Sequence, residues 1–220
     1  VGFGGVPDHA ACTCGTAAGD LVSVFTNVDG LGRPIVQAKA ADSPADVDAT
    51  ITVTVIDTFG NPIFQYPFED MWLETTGNLY TGANGLILCN GGSTADGNTD
   101  VGGNATFTGT LFAGGGSYYN LTTWEQTIVI IDGDPVSSVD AEMDVLFNTA
   151  DLNGDLIVGV QDTTLFKPLY IGGSSGTYSY PGDQPGETQG PLYQIDYYFD
   201  EQITLSDLVL YAGVQNSVCP

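Results

Sequence analysis

The chain is poor in basic residues. Against 27 Asp and Glu it has three Lys and Arg, which are Arg33, Lys39 and Lys167, and its formal net charge is −24 at pH 7. The phosphates of nucleic acids and anionic lipid headgroups would both be repelled by such a protein. This excludes nucleic acid and an anionic membrane surface as partners. The sequence also lacks a run of about 18 apolar residues, so no membrane insertion is expected.

Residues suited to catalysis are scarce as well. The single histidine, His9, lies in a segment rich in Gly, Pro and Cys and is expected at the surface. The segment 172–176 matches G-x-S-x-G, but it lacks the preceding strand and following helix that a nucleophile elbow needs. Trp72 and Trp124 adjoin strand candidates and are expected in the core, with a sugar-binding platform as the alternative. The sequence therefore predicts a protein that is not an enzyme.

The four cysteines are Cys12, Cys14, Cys89 and Cys219. The chain starts at Val1 without Met, which predicts a processed, secreted form. An even number of cysteines in an extracellular protein predicts two disulfides, with three pairings to choose from. The expected bridges link the N-terminal region to Cys89 and to Cys219, and which cysteine joins which is left open.

Two sequons add to the extracellular interpretation. Asn104 and Asn120 each begin an Asn-x-Thr triplet and are candidates for N-glycosylation. The expected location is extracellular or at the cell surface.

Residues 20–148 have the pattern of β-strands. In residues 49–56, for example, Thr alternates with branched apolar residues, which is the period of a half-buried strand. Turns rich in Gly, Asn and Pro separate the candidates, and this favours an antiparallel β-sandwich. The predicted strands are residues 21–26, 35–40, 49–56, 71–75, 86–89, 105–111, 127–131 and 141–147.

Two motifs make the sandwich more specific. Residues 55–63 contain Asp57 followed by Gly60-Asn61-Pro62, and residues 99–107 contain Asp100 followed by Gly-Gly-Asn. Both are turns in which an Asp side chain is expected to bond back to loop amides. They resemble the turn motifs of bacterial Ig-like domains of the invasin type. The resemblance covers about residues 45–148 and implies an Ig-like fold.

Residues 151–162 have the pattern of a calcium loop. Side-chain oxygens stand at loop positions 1, 3, 5 and 12, and a backbone carbonyl at position 7 completes the set. Calcium takes six to eight oxygen ligands, and a loop that wraps one ion presents alternate residues inward. The glycine at position 4 permits the turn. The predicted ligands of this first site are Asp151, Asn153, Asp155, Ile157 and Asp162.

A second loop, residues 196–207, repeats the pattern in part. It keeps Asp at positions 1, 5 and 12, but Tyr198 and Phe199 replace the polar residue and the glycine at positions 3 and 4. Short apolar stretches that suit helices, 164–170 and 208–212, follow the two loops. The predicted ligands of a second site are Asp196, Asp200, Gln202 and Asp207, and whether this loop holds an ion is left open.

The duplicated arrangement of loop and helix resembles a dockerin, the calcium-binding module of cellulosomes and other secreted bacterial proteins. The resemblance covers residue 151 to about residue 214 and implies calcium as the cofactor. It predicts two parts: residues 1–149 as an N-terminal arm with an Ig-like β-sandwich, and residues 150–220 as a small helical dockerin-like module. Residues 172–194 form an inserted loop that is long for such a module.

The functional expectation follows from the scarcity of catalytic chemistry and the abundance of strands. The sequence predicts a secreted structural protein that assembles with copies of itself into a filament or surface layer, with calcium as a structural staple. The alternative is an extracellular module that binds glycans or docks onto a cohesin-type partner.

Overall fold

The chain is mainly β. The computed structural model describes residues 5–19, 21–40, 45–76, 85–115, 125–138, 141–173, 195–200 and 202–220, and no helix in these ranges is long and apolar enough to cross a membrane. The strands are β1 (Thr13–Thr16), β2 (Val22–Thr26), β3 (Ala38–Ala40), β4 (Asp46–Val47), β5 (Ile51–Thr54), β6 (Met71–Thr75), β7 (Leu86–Leu88), β8 (Asn104–Phe107), β9 (Ala113–Gly115), β10 (Thr127–Ile131), β11 (Asp134–Pro135) and β12 (Val145–Thr149). The helices are α1 (Val160–Gly173) and α2 (Leu205–Gly213).

The strands form several small sheets. Two antiparallel sheets have the orders β1-β5-β8 and β11-β10-β6, and β7 pairs with β9. A further sheet has the order β12-β2-β3-β4, in which β12 and β2 run parallel. The expectation of a wholly antiparallel sandwich is therefore wrong at this one pair. A parallel pair needs a long crossover, and the rest of the sandwich, which lies between β2 and β12 in sequence, supplies it.

The sheets pack around one apolar core. Ile51 and Val53 of β5 are buried, whereas Thr52 between them is exposed, as the alternation predicts. They join a cluster with Leu73 of β6 and Val129 of β10. Strands β2, β10 and β12 are buried at every position. In β2 and β12 a second layer covers the face that turns away from this core. The face-to-face packing of sheets confirms the predicted sandwich in this coarse form.

That second layer is the C-terminal part of the chain. Phe166 of α1 stacks on Tyr211 of α2 with ring centroids 4.1 Å apart, and Tyr197 lies 4.8 Å from Phe25 of β2. These rings share a buried cluster with Leu146 of β12. The helices predicted around residues 164–170 and 208–212 are confirmed. Their apolar sides pack directly on the sandwich, so residues from both parts of the chain build this second core.

Strand boundaries deviate from the sequence pattern where local geometry intervenes. Residues 35–37 form a 3-10 turn after Pro34, so only the second half of the predicted strand 35–40 is extended. Ala141 and Met143 are buried as the alternation predicts, but the regular strand begins at Val145. The short strands β1, β4, β9 and β11 were not predicted, because their two to four residues carry too little apolar pattern.

Two matched turns close one end of the sandwich. The Asp57 carboxylate accepts the backbone N–H groups of Phe59 (2.9 Å) and Asn61 (2.8 Å). Asp100 accepts those of Gly102 (2.8 Å) and Asn104 (2.9 Å) in the same way. These bonds hold the pKa of both Asp side chains below its usual value, chiefly through the N–H groups of Asn61 and Asn104. The predicted role of Asp in both motifs is confirmed.

One disulfide joins Cys89, just after β7, to Cys219 near the C-terminal end, with Cα atoms 5.7 Å apart. Cys12 and Cys14 are free thiols, so the expected bridges from the N-terminal region to Cys89 and Cys219 are wrong. Cys12 belongs to the sandwich core and Cys89 to the second core. Cys12 and Cys14 themselves are alternate residues of extended chain, about 7 Å apart, which is too far for a disulfide. The bond that forms indicates an oxidising environment.

The pairing can be tested with a thiol reagent. Burial raises the pKa of Cys12, and burial raises the pKa of Cys14 to about 11, so about 0.1% of the Cys14 thiol is ionised at pH 8. We expect iodoacetamide to modify neither thiol of the native protein within minutes, and to modify both after denaturation without reductant. Peptide mapping by mass spectrometry would show this. Modification of Cys89 or Cys219 under these conditions would contradict the pairing.

Candidate metal centre

The first loop follows β12 directly and is seated on β9. The Asp151 side chain is fully buried, and a Cβ placed on Gly114 of β9 would lie 1.9 Å from its Oδ2 atom. The Gly115 N–H donates to the Asp151 carbonyl at 3.1 Å. On the other side, Gly154 adopts φ 72° and packs against Ile87 of β7. The absence of side chains on these glycines lets the loop approach the β7–β9 pair closely.

The Asp151 carboxylate organises the start of the loop. It accepts the N–H groups of Gly154 (2.8 Å), Asp155 (3.2 Å) and Leu156 (2.8 Å). Leu156 also has a left-handed backbone, with φ 65°. Three converging N–H groups replace the water that a buried carboxylate loses. The loop backbone is therefore wrapped around this one side chain.

Three carboxylates of the loop come together. One ligand oxygen each from Asp151, Asp155 and Asp162 lies within 4.8 Å of the others, with Asp151 and Asp162 buried and Asp155 exposed. Burial, followed by the nearby charges of Asp162 and Asp155, raises the pKa of Asp151 to about 6. Like charges this close oppose ionisation. A divalent cation among them would remove that opposition.

The remaining predicted ligands lie around this group. The Asn153 amide donates to Asp155 at 3.0 Å and to Gln161 at 2.8 Å, so it flanks the carboxylates. The Ile157 N–H donates to Asp155 at 3.0 Å, and its carbonyl accepts no hydrogen bond from another described residue. The donors are all oxygens, which fits a hard cation such as calcium better than a metal that prefers nitrogen or sulfur.

The second loop repeats four of the hydrogen bonds that backbone N–H groups donate to Asp side chains in the first. In both loops position 5 donates to the Asp at position 1, position 7 donates to position 5, and positions 3 and 9 donate to the Asp at position 12. The matched distances differ by 0.3 Å or less. In the first loop the donor–acceptor pairs are Asp155–Asp151 (3.2 Å), Ile157–Asp155 (3.0 Å), Asn153–Asp162 (3.1 Å) and Gly159–Asp162 (2.7 Å). In the second loop the corresponding pairs, in the same order, are Asp200–Asp196 (3.3 Å), Gln202–Asp200 (3.1 Å), Tyr198–Asp207 (3.4 Å) and Thr204–Asp207 (2.8 Å).

The second loop differs from the first in the side chains that it carries. Phe199 is fully buried in the second core and takes the turn with φ 54°. The Tyr198 ring lies under the Arg33 guanidinium, 4.7 Å from its carbon atom. Asp207 is buried, which raises its pKa, and it closes a capping box with Thr204 at the start of α2. Tyr198, with the Arg33 cation over its ring, thus takes the place of the polar Asn153, and the buried Phe199 takes the place of Gly154.

The four predicted ligands of the second site are placed as follows. Asp196 and Asp207 are buried, whereas Gln202 is exposed and Asp200 is half-buried. Among the described acidic and Cys or His side chains, only those of the first loop meet within 4.8 Å as a group of three. We therefore expect one calcium ion per chain, held by the first loop.

A matched pair of substitutions at loop position 5 tests this expectation. Asp155→Asn removes one carboxylate from the group of three and should weaken calcium binding at least tenfold, since ligand charge sets the affinity of such loops. Asp200→Asn makes the same change in the second loop and should leave the affinity within about twofold. Isothermal titration calorimetry measures both, and wild-type stoichiometry should be one. A stoichiometry of two, or a loss of one ion in Asp200→Asn, would contradict a single site.

Calcium affinity should depend on pH in the acidic range. Without metal, the folded Asp151 has its pKa raised to about 6, so below that pH calcium must displace a proton. The affinity should be constant above pH 7 and fall about tenfold per unit between about pH 6 and pH 4. Because the pKa of Asp151 is higher in the folded protein than in the unfolded chain, the metal-free protein loses the stability that the protonated carboxyl contributes as the pH rises from about 4 to about 6. An affinity that is flat from pH 5 to pH 7 would contradict the assignment of Asp151.

Other residues selected from the sequence lie apart from the loops. His9 pairs its Nε2 atom with the Ile131 carbonyl at 2.8 Å. Asn104 lies in β8, where its side chain accepts from Thr54 and donates to Asp100. Trp72 is half-buried, on the face of β6 that turns away from the core, so the expectation of a core position is wrong for this residue. Asn120, Trp124, residues 174–176 of the G-x-S-x-G match and most of the insertion 172–194 lie outside the described residues.

Comparisons with known proteins give little further guidance. No protein-family model matches the sequence, and no curated protein matches it. Among solved structures, the crystal structure of the Lin-41 filamin domain is a distant neighbour, with 13% identity and a TM-score of 0.28, over 63% of this chain and 95% of the filamin domain. A likeness this low carries no functional argument.

Proposed function

We propose that this chain is a non-catalytic, secreted structural protein in which calcium at the first loop fixes the C-terminal part to a β-sandwich. The observation that carries the proposal is the buried Asp151 carboxylate, which lies in a group of three acids and rests directly on Gly114 of the sandwich. An ion there would bind residues of the loop and of α1 while the loop is held against β9. Its binding energy would be folding energy for both parts.

The matched hydrogen bonds of the two loops support a duplicated, dockerin-like module. Each loop begins with a buried Asp and ends with an Asp that caps the following helix. In this proposal the first loop keeps its ion and the second has become a metal-free packing element. The module then serves as a permanent structural part, because an extracellular calcium site is filled most of the time.

Self-assembly is the role that the surface favours. The two matched turns at one end of the sandwich expose Phe59 (86%) and Val101 (81%). Phe64 is exposed five residues after Phe59, and Val6 is exposed next to Pro7, which bridges Asp57. The turns adjoin each other, since the Val55 N–H donates to the Gly103 carbonyl at 2.8 Å. Exposed apolar groups in one area mark interaction surfaces. We propose that this exposed end contacts another copy of the chain in a filament or surface layer.

Electron microscopy of negatively stained protein tests assembly. Purified protein in about 5 mM calcium, in the millimolar range of extracellular sites, should form filaments or sheets, and Phe59→Ser should reduce their number. Leu31→Ser is a matched control, because Leu31 is also exposed (71%) but lies in another turn. Uniform monomers of the wild-type protein at high concentration in calcium would overturn the proposal of self-assembly while leaving the metal centre intact.

A second candidate function is docking onto a cohesin-type partner. The first residues of the two helices, Val160 (82%) and Leu205 (66%), both occupy loop position 10 and are both exposed. Two equivalent apolar side chains on one module suit a partner that contacts both helices. A pull-down with a cohesin-like domain separates the two candidates: capture by wild-type protein that is lost in Val160→Asp would favour docking.

A further inference from the structure

A groove on the outer face of β6 has no role in the proposed function. It has a volume of about 570 Å³ and lies between the 3-10 turn Phe68–Asp70, β6 and the turn that follows β7. Phe68, Glu69 and Trp72 line one side, and Asn90 and Thr94 line the other. Trp72 is only half-buried there, although full burial of a side chain of this size in the core would stabilise the fold. Two aromatic residues and a carboxylate therefore line the same open groove.

The groove is preformed by backbone and side-chain bonds. Trp72 faces Thr94 across an antiparallel bridge, and the Trp72 indole N–H donates to Glu74 at 2.8 Å. The opposite turn is closed by the Gly92 N–H, which donates to the Cys89 carbonyl at 2.8 Å. Cys89 is in turn fixed by its disulfide to Cys219. The walls therefore stand in place before a ligand arrives, which lowers the entropy cost of binding.

The chemistry of the walls favours a positively charged organic group. The face of an indole ring carries negative potential, and the donation of its N–H to a carboxylate adds to the electron density of the ring. Glu69 is exposed at the rim, and no basic side chain lines the groove. The net charge of −24 draws cations towards the protein and repels anions. A neutral sugar would contact the same ring but would gain nothing from these charges.

We propose that this groove binds an organic ammonium group, which lies over the Trp72 ring and is held by the Glu69 carboxylate. Tryptophan is the best aromatic partner for a cation, and quaternary ammonium ligands are recognised by aromatic rings in this way. Phe68 supplies the second ring and Glu69 the charge. The inference is independent of calcium binding, because the groove shares no residue with the two loops.

Nuclear magnetic resonance of ¹⁵N-labelled protein tests the site. The chain has two tryptophans, so two indole N–H signals are expected, and Trp72→Phe identifies the one from Trp72. Choline chloride should shift that signal to saturation. The neutral isostere 3,3-dimethyl-1-butanol should bind at least about tenfold more weakly, since it lacks the charge that the ring attracts. The titrations are run with calcium present, so that the first loop is filled.

Charge-matched variants complete the test. Glu69→Gln should weaken choline binding about threefold, as expected for loss of one exposed charge contact. Glu142→Gln removes the same charge from an exposed position outside the groove and should leave binding unchanged. Equal shifts with the neutral isostere, a response to methyl glucoside but not to choline, or no movement of the Trp72 signal with any probe would overturn the proposal.

Discussion

Replacement of Asp151 by Asn is expected to abolish the stabilisation that calcium gives to this protein. Both oxygens of the Asp151 carboxylate accept loop N–H groups, and the same carboxylate belongs to the group of three acids. An amide can accept at one end only, so the variant loses both a negative ligand and a loop contact. The wild-type protein should be stabilised by about 4 kcal/mol when calcium exceeds its dissociation constant a thousandfold.

Thermal unfolding followed by circular dichroism measures this effect. In a protein of this length, about 4 kcal/mol corresponds to a rise in Tm of roughly 10 °C. The wild-type Tm should rise by that amount between chelator and calcium, whereas the Asp151→Asn Tm should be the same in both. Asp200→Asn, from the second loop, is the control and should respond to calcium like the wild type. An Asp151→Asn variant that still gains stability from calcium would contradict the assigned site.

The second large effect is expected at a residue that is not a ligand. Gly114→Ala would place a methyl carbon 1.9 Å from Asp151 Oδ2, well inside van der Waals contact. Gly114 belongs to the short strand β9 and pairs opposite Ile87, so neither the β9 backbone nor the Asp151 carboxylate can move freely. We expect a loss of about 3 kcal/mol of stability from the forced displacement and a calcium affinity at least tenfold lower.

A second glycine provides the control for Gly114→Ala. Gly15 of β1 also lies in a strand, but a Cβ there would meet nothing within 4 Å. Gly15→Ala should leave the free energy of unfolding and the calcium affinity close to the wild-type values. Chemical denaturation with and without calcium, together with calorimetric titration, measures both quantities. If Gly114→Ala binds calcium as tightly as the wild type, the first loop is not held against β9 in the way described.

The fold could be predicted where the sequence pattern is strong and local. The alternation in β5 and in residues 141–147 and the apolar run in β10 place these strands in buried sheets, and the turn motifs at Asp57 and Asp100 form as expected. The loop ligands Asp151, Asp155 and Asp162 are close in sequence, so their spacing alone brings them together. Local geometry of this kind is set by a few neighbouring residues and by the two-residue period of side chains along a strand.

The long-range features could not be predicted, because they depend on which elements become neighbours. The contact of Gly114 with Asp151 joins two segments that share no motif, and glycine gives no signal of the side chain it will face. The bond between Cys89 and Cys219 depends on the C-terminal residues returning to β7. Trp72 was expected in the core because it lies in a strand, but side chains alternate along a strand, and Trp72 shares its face with Glu74 and not with the buried Met71 and Leu73.

The central claim, that one calcium ion at the first loop fixes the C-terminal part to the sandwich, is tested most directly by an experimental density map at side-chain resolution. The protein should be prepared in calcium, with a second sample in chelator. We expect one ion within about 2.3–2.6 Å of oxygens from Asp151, Asp155 and Asp162, and none at the second loop. A map of the calcium sample with no ion among these three side chains, or with the ion at Asp196 and Asp200 instead, would contradict the claim.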